Sequence, residues 1–319
     1  EPARIMTKLW EHAPAKPSPD MCLDVGGKGA SLVVTCAGRF VLVLDAATGA
    51  EKTSFAAHDT EVVAAALSGD GELVATGSRD GKAKIFKLKD TSAPVTWVEK
   101  KDGWFYAVDF TPDGKRAAAA DHTGAVRTFP TSEGKAGPTL KNVNEAPVRD
   151  LAVAPDGKKM AVPDDTSVSI HPVPWGPKIA TVDGPGGTVV AVAWSDDGKR
   201  LAVGTDTGMV RVYDANAKFK ELASFDAGAG HGVNGLAFSP KGMKYGDVGA
   251  QLVTGLDDGT VAFWDGKTWA KLGWFKAHAT TVGRLRVAAS GATLVTVGDD
   301  GVVAAWAHPF PALESVSMD

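Results

Sequence analysis

A repeat constrains this chain more than any other feature. Short alternating apolar runs separated by Asp-Gly or Thr-Gly recur as LSGDGELVATGSRDGKAKIF, FTPDGKRAAAADHTGAVRTF, VAPDGKKMAVPDDTSVSIH and WSDDGKRLAVGTDTGMVRVY, with QLVTGLDDGTVAFW and TLVTVGDDGVVAAW further on. Each copy reads as strand, Ser/Pro/Asp/Gly turn, strand, tight turn, strand. Asp and Gly tolerate the positive φ that hairpin turns need. The residues ending the third strands are Leu44, Phe86, Phe129, His171, Tyr213, Trp264 and Trp306, spaced 42, 43, 42, 42, 51 and 42 apart. Seven units of 42 nearly exhaust the 319 residues, and the 9 extra fall in SPKGMKYGDVGA, Ser239 to Ala250. Self-similarity at such a period is the mark of a repeat architecture.

Charge and hydropathy exclude several alternatives. Lys and Arg number 34 against 38 Asp and Glu, a net charge of −4, so no basic excess points to direct nucleic-acid binding. No apolar run reaches the roughly 20 residues of a membrane span. The two cysteines, Cys22 and Cys36, sit in apolar stretches without a CxxC or Cys/His cluster. They read as buried core thiols, and a disulfide within one hairpin is open to them if the register allows it. The chain starts at Glu1 with no charged-then-apolar leader, so its compartment stays open, with the cytoplasm as the default expectation.

The repeats resemble those of the WD-repeat β-propeller family. The family's Trp-Asp pair stands at Trp264-Asp265, with Tyr213-Asp214 and Leu44-Asp45 as degenerate versions. Its inter-blade histidine corresponds to His58, His231 and His278, and its tight-turn aspartate to Asp80, Asp258 and Asp300. The resemblance implies an all-β, seven-bladed β-propeller of four-stranded antiparallel blades. It covers residues 1–307 as one propeller, with 308–319 as a tail, and the N-terminal segment 3–11 is expected to be the outer strand of blade seven. TKLWEHA near the start parallels AKLGWFKAHA before unit seven. Ser78 is expected to serve the family's His–Ser–Asp–Trp network in unit two. That network reads as complete nowhere, because Phe86 replaces the Trp there and units six and seven lack the Ser.

What the resemblance implies about function is a non-catalytic scaffold that binds other proteins through its rims, as a subunit or adaptor of a larger complex. On the first rim, the residues preceding the tight-turn positions are Arg79, His122, Asp164, Asp206, Asp257 and Asp299. Four carboxylates near a channel mouth would attract a basic segment or a cation, although Asp is also simply a good turn residue. Trp104, after Asp102-Gly103 at the entry to unit three, is a candidate anchor. The other rim offers Trp175 between prolines and the insertion residues Lys241, Met243, Lys244 and Tyr245. The rival reading is an enzyme or a cation or small-ligand binder at the acidic mouth, using Asp164, Asp206, Asp257 and Asp299 as oxygen ligands. Against catalysis, no Gly-x-Ser-x-Gly elbow, phosphate-cradling loop or His-Glu-x-x-His is present, and no cofactor is implied.

Overall fold

Period-2 alternation buries one face of a strand and leaves the other for water, and this gradient organises the molecule. The computed structural model describes residues 6–14, 22–27, 29, 31–101, 103–132, 139–140, 147–174, 176–240 and 251–307. Every regular element among them is a β-strand, and the strands pair into seven four-stranded antiparallel sheets. Blade 1 comprises Leu23–Gly26, Leu32–Ala37, Phe40–Asp45 and Glu51–Ala56, and blade 2 Val62–Leu67, Leu73–Ser78, Lys82–Lys87 and Thr96–Glu99. Blade 3 holds Phe105–Phe110, Arg116–Asp121, Val126–Pro130 and Thr139–Leu140, and blade 4 Ala152–Val153, Lys159–Pro163, Ser167–Pro172 and Ala180–Asp183. Blade 5 is Val189–Trp194, Arg200–Thr205, Met209–Asp214 and Lys220–Asp226, and blade 6 Val233–Phe238, Gln251–Leu256, Thr260–Asp265 and Lys271–Lys276. Val282–Val287, Thr293–Gly298 and Val303–Ala307 form blade 7, whose outer strand is Lys8–His12.

Within a blade, burial falls from inside to outside. In blade 2 the inner strand VVAAAL is buried at every residue, while the third strand KAKIFK alternates. The outer strand of blade 1, EKTSFA, buries fully only Phe55. The apolar core lies between neighbouring blades: Ala64, Ala75 and Ile85 of blade 2 pack on Phe105, Phe110 and Phe129 of blade 3. Such close approach requires glycine where a second strand meets the next blade. A Cβ on Gly255 would fall 2.6 Å from Val282 Cγ1.

The ring closes between the two ends of the described chain. Lys8–His12 pairs with Val303–Ala307 through Glu11↔Ala304 and His12↔Val303. This strand begins at Lys8; of the expected segment 3–11, residues 3–5 lie outside the described residues. Trp10, 8% exposed, is buried among Leu23, Leu42 and Leu44 of blade 1 and Val295 and Val303 of blade 7. Its indole N–H donates to Ala46 O at 3.0 Å, so one side chain fastens the seam by packing and by a hydrogen bond.

Two expectations from the sequence are corrected. Cys22 and Cys36 form a disulfide rather than remaining core thiols. The pairing Leu23↔Thr35 places the preceding and following residues opposite one another, with a Cα–Cα distance of 5.6 Å. The hydrogen-bond network is complete in blade 7, because Thr296 in the second strand supplies the hydroxyl. Trp306 Nε1 donates to Thr296 Oγ1 at 3.0 Å, His278 Nε2 lies 2.9 Å from the same oxygen, and His278 Nδ1 lies 3.4 Å from Asp300. In blade 2 the corresponding hydroxyl is Thr76, at 2.8 Å from His58 Nε2, whereas Ser78 donates to Glu61 O at 2.8 Å. Only a side chain that points between the blades can meet the histidine, and Ser78 sits two residues too far along the strand. The 9-residue excess falls between Phe238 and Gln251, and residues 241–250 lie outside the described residues.

Truncating Trp10 opens the seam without touching any other blade. Trp10→Ala is expected to lower unfolding stability by about 3–5 kcal/mol, measured by chemical denaturation. A loss below about 1 kcal/mol would show that backbone pairing alone holds the ring shut.

Candidate functional site

The first rim carries the turns between second and third strands and the loops that join blades. One backbone bond recurs there: the residue after the second strand donates its N–H to the residue before the inner strand. It is seen from Arg79 to Glu61 O at 3.1 Å, His122 to Trp104 O at 3.0 Å, Asp206 to Thr188 O at 3.0 Å, Asp257 to Gly232 O at 3.0 Å and Asp299 to Thr281 O at 3.1 Å. These residues, chosen from the sequence, therefore hold equivalent stations around the rim. Blade 4 departs from the pattern: Asp164 N donates to Ser167 O, and Asp165 O accepts from Val189 N.

The acids at these stations are partly engaged. Asp206 Oδ1 accepts from Thr188 N at 2.8 Å. Asp257 accepts from Gly232 N at 2.9 Å and meets His231 Nδ1 at 2.8 Å. Asp164 Oδ1 accepts from Asp165 N at 2.8 Å, and Asp299 is exposed. The doubled acids divide the labour. In blade 6 Asp257 holds the joining loop while Asp258 Oδ1 accepts from Thr260 N across the tight turn. Among the described residues no three His, Cys, Asp or Glu side chains converge so as to hold a metal ion.

Three other predicted residues do converge. The Arg79 guanidinium lies 5.0 Å from the Trp104 ring. His122 stacks obliquely on that ring at 6.2 Å, and its Nδ1 accepts from Trp104 N at 3.3 Å. Tyr106 completes the patch edge-on to Trp104 at 5.9 Å. Sequence reading missed Tyr106. The pairing skips from Phe105↔Asp121 to Ala107↔Ala120, leaving Tyr106 as the extra residue of a β-bulge, a device that re-aims side chains at strand ends. Trp104 remains 40% exposed, enough to meet a partner. Trp175, Lys241, Met243, Lys244 and Tyr245 lie outside the described residues.

The structural histidines are not ligands. His58 lies between Asp80 at 2.9 Å and Thr76 at 2.8 Å. Burial pushes His58 and His278 below their usual value of 6.5, against the pull of Asp80 and Asp300, so both rings are neutral at neutral pH.

The central channel holds charges that sequence reading passed over. Asp24, Asp109 and Asp150 form a belt with Arg284 and Arg286. Each carboxylate accepts a backbone N–H from the inner strand of the next blade: Asp24 from Leu67 at 2.9 Å, Asp109 from Val153 at 2.7 Å, Asp150 from Val192 at 2.9 Å. Arg286 Nε pairs with Asp24 at 3.1 Å and Arg284 Nη1 with Asp150 at 2.6 Å. A signal was present: LDV and AVDF each place one charge, and GRLRV two, inside apolar inner-strand runs. The belt narrows the channel to a space of about 40 Å³ at its own level. Beyond it a cavity of about 610 Å³ widens toward the second rim, so the larger hollow lies at the mouth opposite the acidic turns.

Burial pushes the Asp109 carboxyl up to about 7, with the Val153 N–H opposing. Its unfolded value is near 3.8, so the folded state holds an extra proton between these values. The associated stability is full below the unfolded value and is lost as pH rises through about 7. Asp109→Asn retains an acceptor for one backbone N–H and has no proton to lose. Its thermal midpoint relative to wild type is expected to climb between about pH 5 and about pH 8. A pH-independent gap would show that Asp109 is ionised throughout.

Comparison with known families bears on the repeats directly. The family model described as "WD domain, G-beta repeat" matches residues 49–87 and 219–265. The model described as "Anaphase-promoting complex subunit 4 WD40 domain" matches residues 164–241. No curated protein matches the chain.

Proposed function

We propose that this chain, a member of the WD-repeat β-propeller family, works as a non-catalytic platform for other proteins within a larger complex, through its first rim. Propellers of this family generally mediate protein–protein interaction, and one matching family model describes a subunit of a multiprotein assembly. The observation that carries the reading is the rim itself. The bond from the turn to the entry of the inner strand, made in blades 2, 3, 5, 6 and 7, fixes the rim backbone that bears the exposed side chains before any partner arrives. A face ordered in advance loses little conformational freedom on binding. On that face, Trp104, Tyr106 and Arg79 supply the residue types that dominate interface energetics, and the arc from Asp164 to Asp299 offers negative charge to a basic segment.

The rival reading, catalysis or cation binding at the acidic mouth, has less support. Three of its four carboxylates, Asp164, Asp206 and Asp257, serve their own loops and turns, and no three His, Cys, Asp or Glu side chains converge as ligands among the described residues. No helix among the described residues is long and apolar enough to cross a membrane, so a membrane role draws no support from helices.

The test is co-purification from source extract with wild type and two single variants, Trp104→Ala and Asp299→Lys. Both side chains are exposed, so each variant is expected to hold its thermal midpoint within the small range of surface substitutions. The captured partner should weaken with one or both variants. A wild-type chain migrating alone at its own mass of 33.0 kDa overturns the proposal, and so does a partner held equally by all three proteins.

A further inference from the structure

The channel cavity is built differently from the rim. Its floor is the charged belt, and about half of its wall is apolar, with Val25, Val153, Trp194, Leu236, Phe238 and Val287 among the lining residues. Trp194 is pinned by its indole N–H, which donates to Ala152 O at 3.0 Å. At about 610 Å³ the hollow falls in the size class of small-molecule sites, which run from about 300 to 1,000 Å³ and combine apolar walls with a few convergent polar groups.

The belt is out of balance. Among its described residues, Asp24, Asp109 and Asp150 face Arg284 and Arg286. Arg286 is engaged by Asp24 and Arg284 by Asp150. Asp109 has backbone partners, the N–H groups of Val153 and Phe110 at 2.7 and 2.8 Å, and no salt-bridge partner among the described residues. It also lines the wide cavity. Asp109 shares its nearest guanidinium, Arg286, with Asp24, so three carboxylates share two arginines, and the cavity that Asp109 lines can admit a further cation.

We propose that the channel cavity is a binding site for a small organic amine, an ammonium group on an apolar body, whose nitrogen pairs with Asp109 while its body rests on the apolar wall. Burial first, and then the nearby Asp24 charge, raise the Asp109 carboxyl, outweighing the Val153 N–H and the Arg286 charge, and a cation beside it would favour its ionised form. Asp24, Asp150, Arg284 and Arg286 face Asp109 across the belt, and Asp196 lies on the cavity wall. The four belt partners are paired with each other, so Asp109 is the group that titrates when an amine enters. The same chemistry could arrive as a free amine or as the side chain of a lysine, and the test separates the two.

The probes are hexylamine, hexanol, hexanoate and a capped lysine tripeptide, titrated into the full chain and followed by thermal shift and by chemical-shift changes. Hexylamine stays protonated throughout, since alkylammonium groups titrate near 10.4. It is expected to stabilise wild type at millimolar levels, about tenfold more tightly at pH 8.5 than at pH 5.5, as Asp109 becomes ionised. Hexanol and hexanoate should produce no comparable shift, and Asp109→Asn should lose the response to the amine. A tripeptide that binds more tightly than hexylamine also supports the site and assigns the amine to a polypeptide. The proposal falls if hexylamine gives no shift, if Asp109→Asn responds as wild type does, or if hexanoate binds better, which would make Arg286 the reader of an anion. Should Asp109→Asn fail to fold, the amine, alcohol and acid arms on wild type still decide. These results are independent of the rim: amine binding can fail while Trp104→Ala and Asp299→Lys still release a protein partner, and the reverse.

Discussion

The pairing of Lys8–His12 with Val303–Ala307 is the interaction on which the rest depends. Blades bury their apolar faces only against neighbours, as blade 2 does against blade 3. An open row of seven would leave one such face bare at each end. Ring closure replaces those two bare faces with the Trp10 seam. An open sheet edge and an exposed apolar face are both routes to aggregation. Closure removes the second of these liabilities and adds backbone hydrogen bonds that no local segment could supply.

Two sets of polar bonds then work on opposite sides of that apolar ring. On the first rim, turn residues hold the loops that enter five of the inner strands. Inside the channel, Asp24, Asp109 and Asp150 reach from one inner strand to the next. The first set fixes the outer face against which a protein can dock. The second set lets charged side chains live at the centre of a β-rich molecule, since each carboxylate satisfies a backbone donor that would otherwise be buried unpaired. The two sites proposed above differ in chemistry because these two environments differ: an open, hydrated rim and a narrow, partly desolvated channel.

Much of the architecture was legible because it is periodic. The spacing of Phe86, Phe129, His171 and Tyr213 marks strands at nearly equal intervals of 43, 42 and 42, and each Asp-Gly or Thr-Gly turn marks a reversal. Station residues such as Arg79, His122 and Asp206 were legible for the same reason. What periodicity hides is whatever depends on contact across blades. Thr296 looks like an ordinary strand threonine until His278 and Trp306 converge on it. Cys22 and Cys36 are 14 residues apart, and only the register of two strands places them face to face. Tyr106 joins the Trp104 patch because of a bulge, which alternation cannot foresee. The belt was the largest omission: Asp150 and Arg284 meet over 134 residues, and no local pattern encodes that.

The closing strand also sets an order in time. His12 and Val303 are partners, yet one is made near the start of the described chain and the other near its end. At the usual pace of synthesis, roughly 5–20 residues per second, the first waits on the order of 15–60 s for the second. Throughout that interval Trp10 has no seam to enter, and each finished blade can only lean on the one before it. The molecule therefore matures in a single late step, when the last strand emerges and meets the first, and any chaperone that guards the nascent chain must keep one short N-terminal segment unpaired until then.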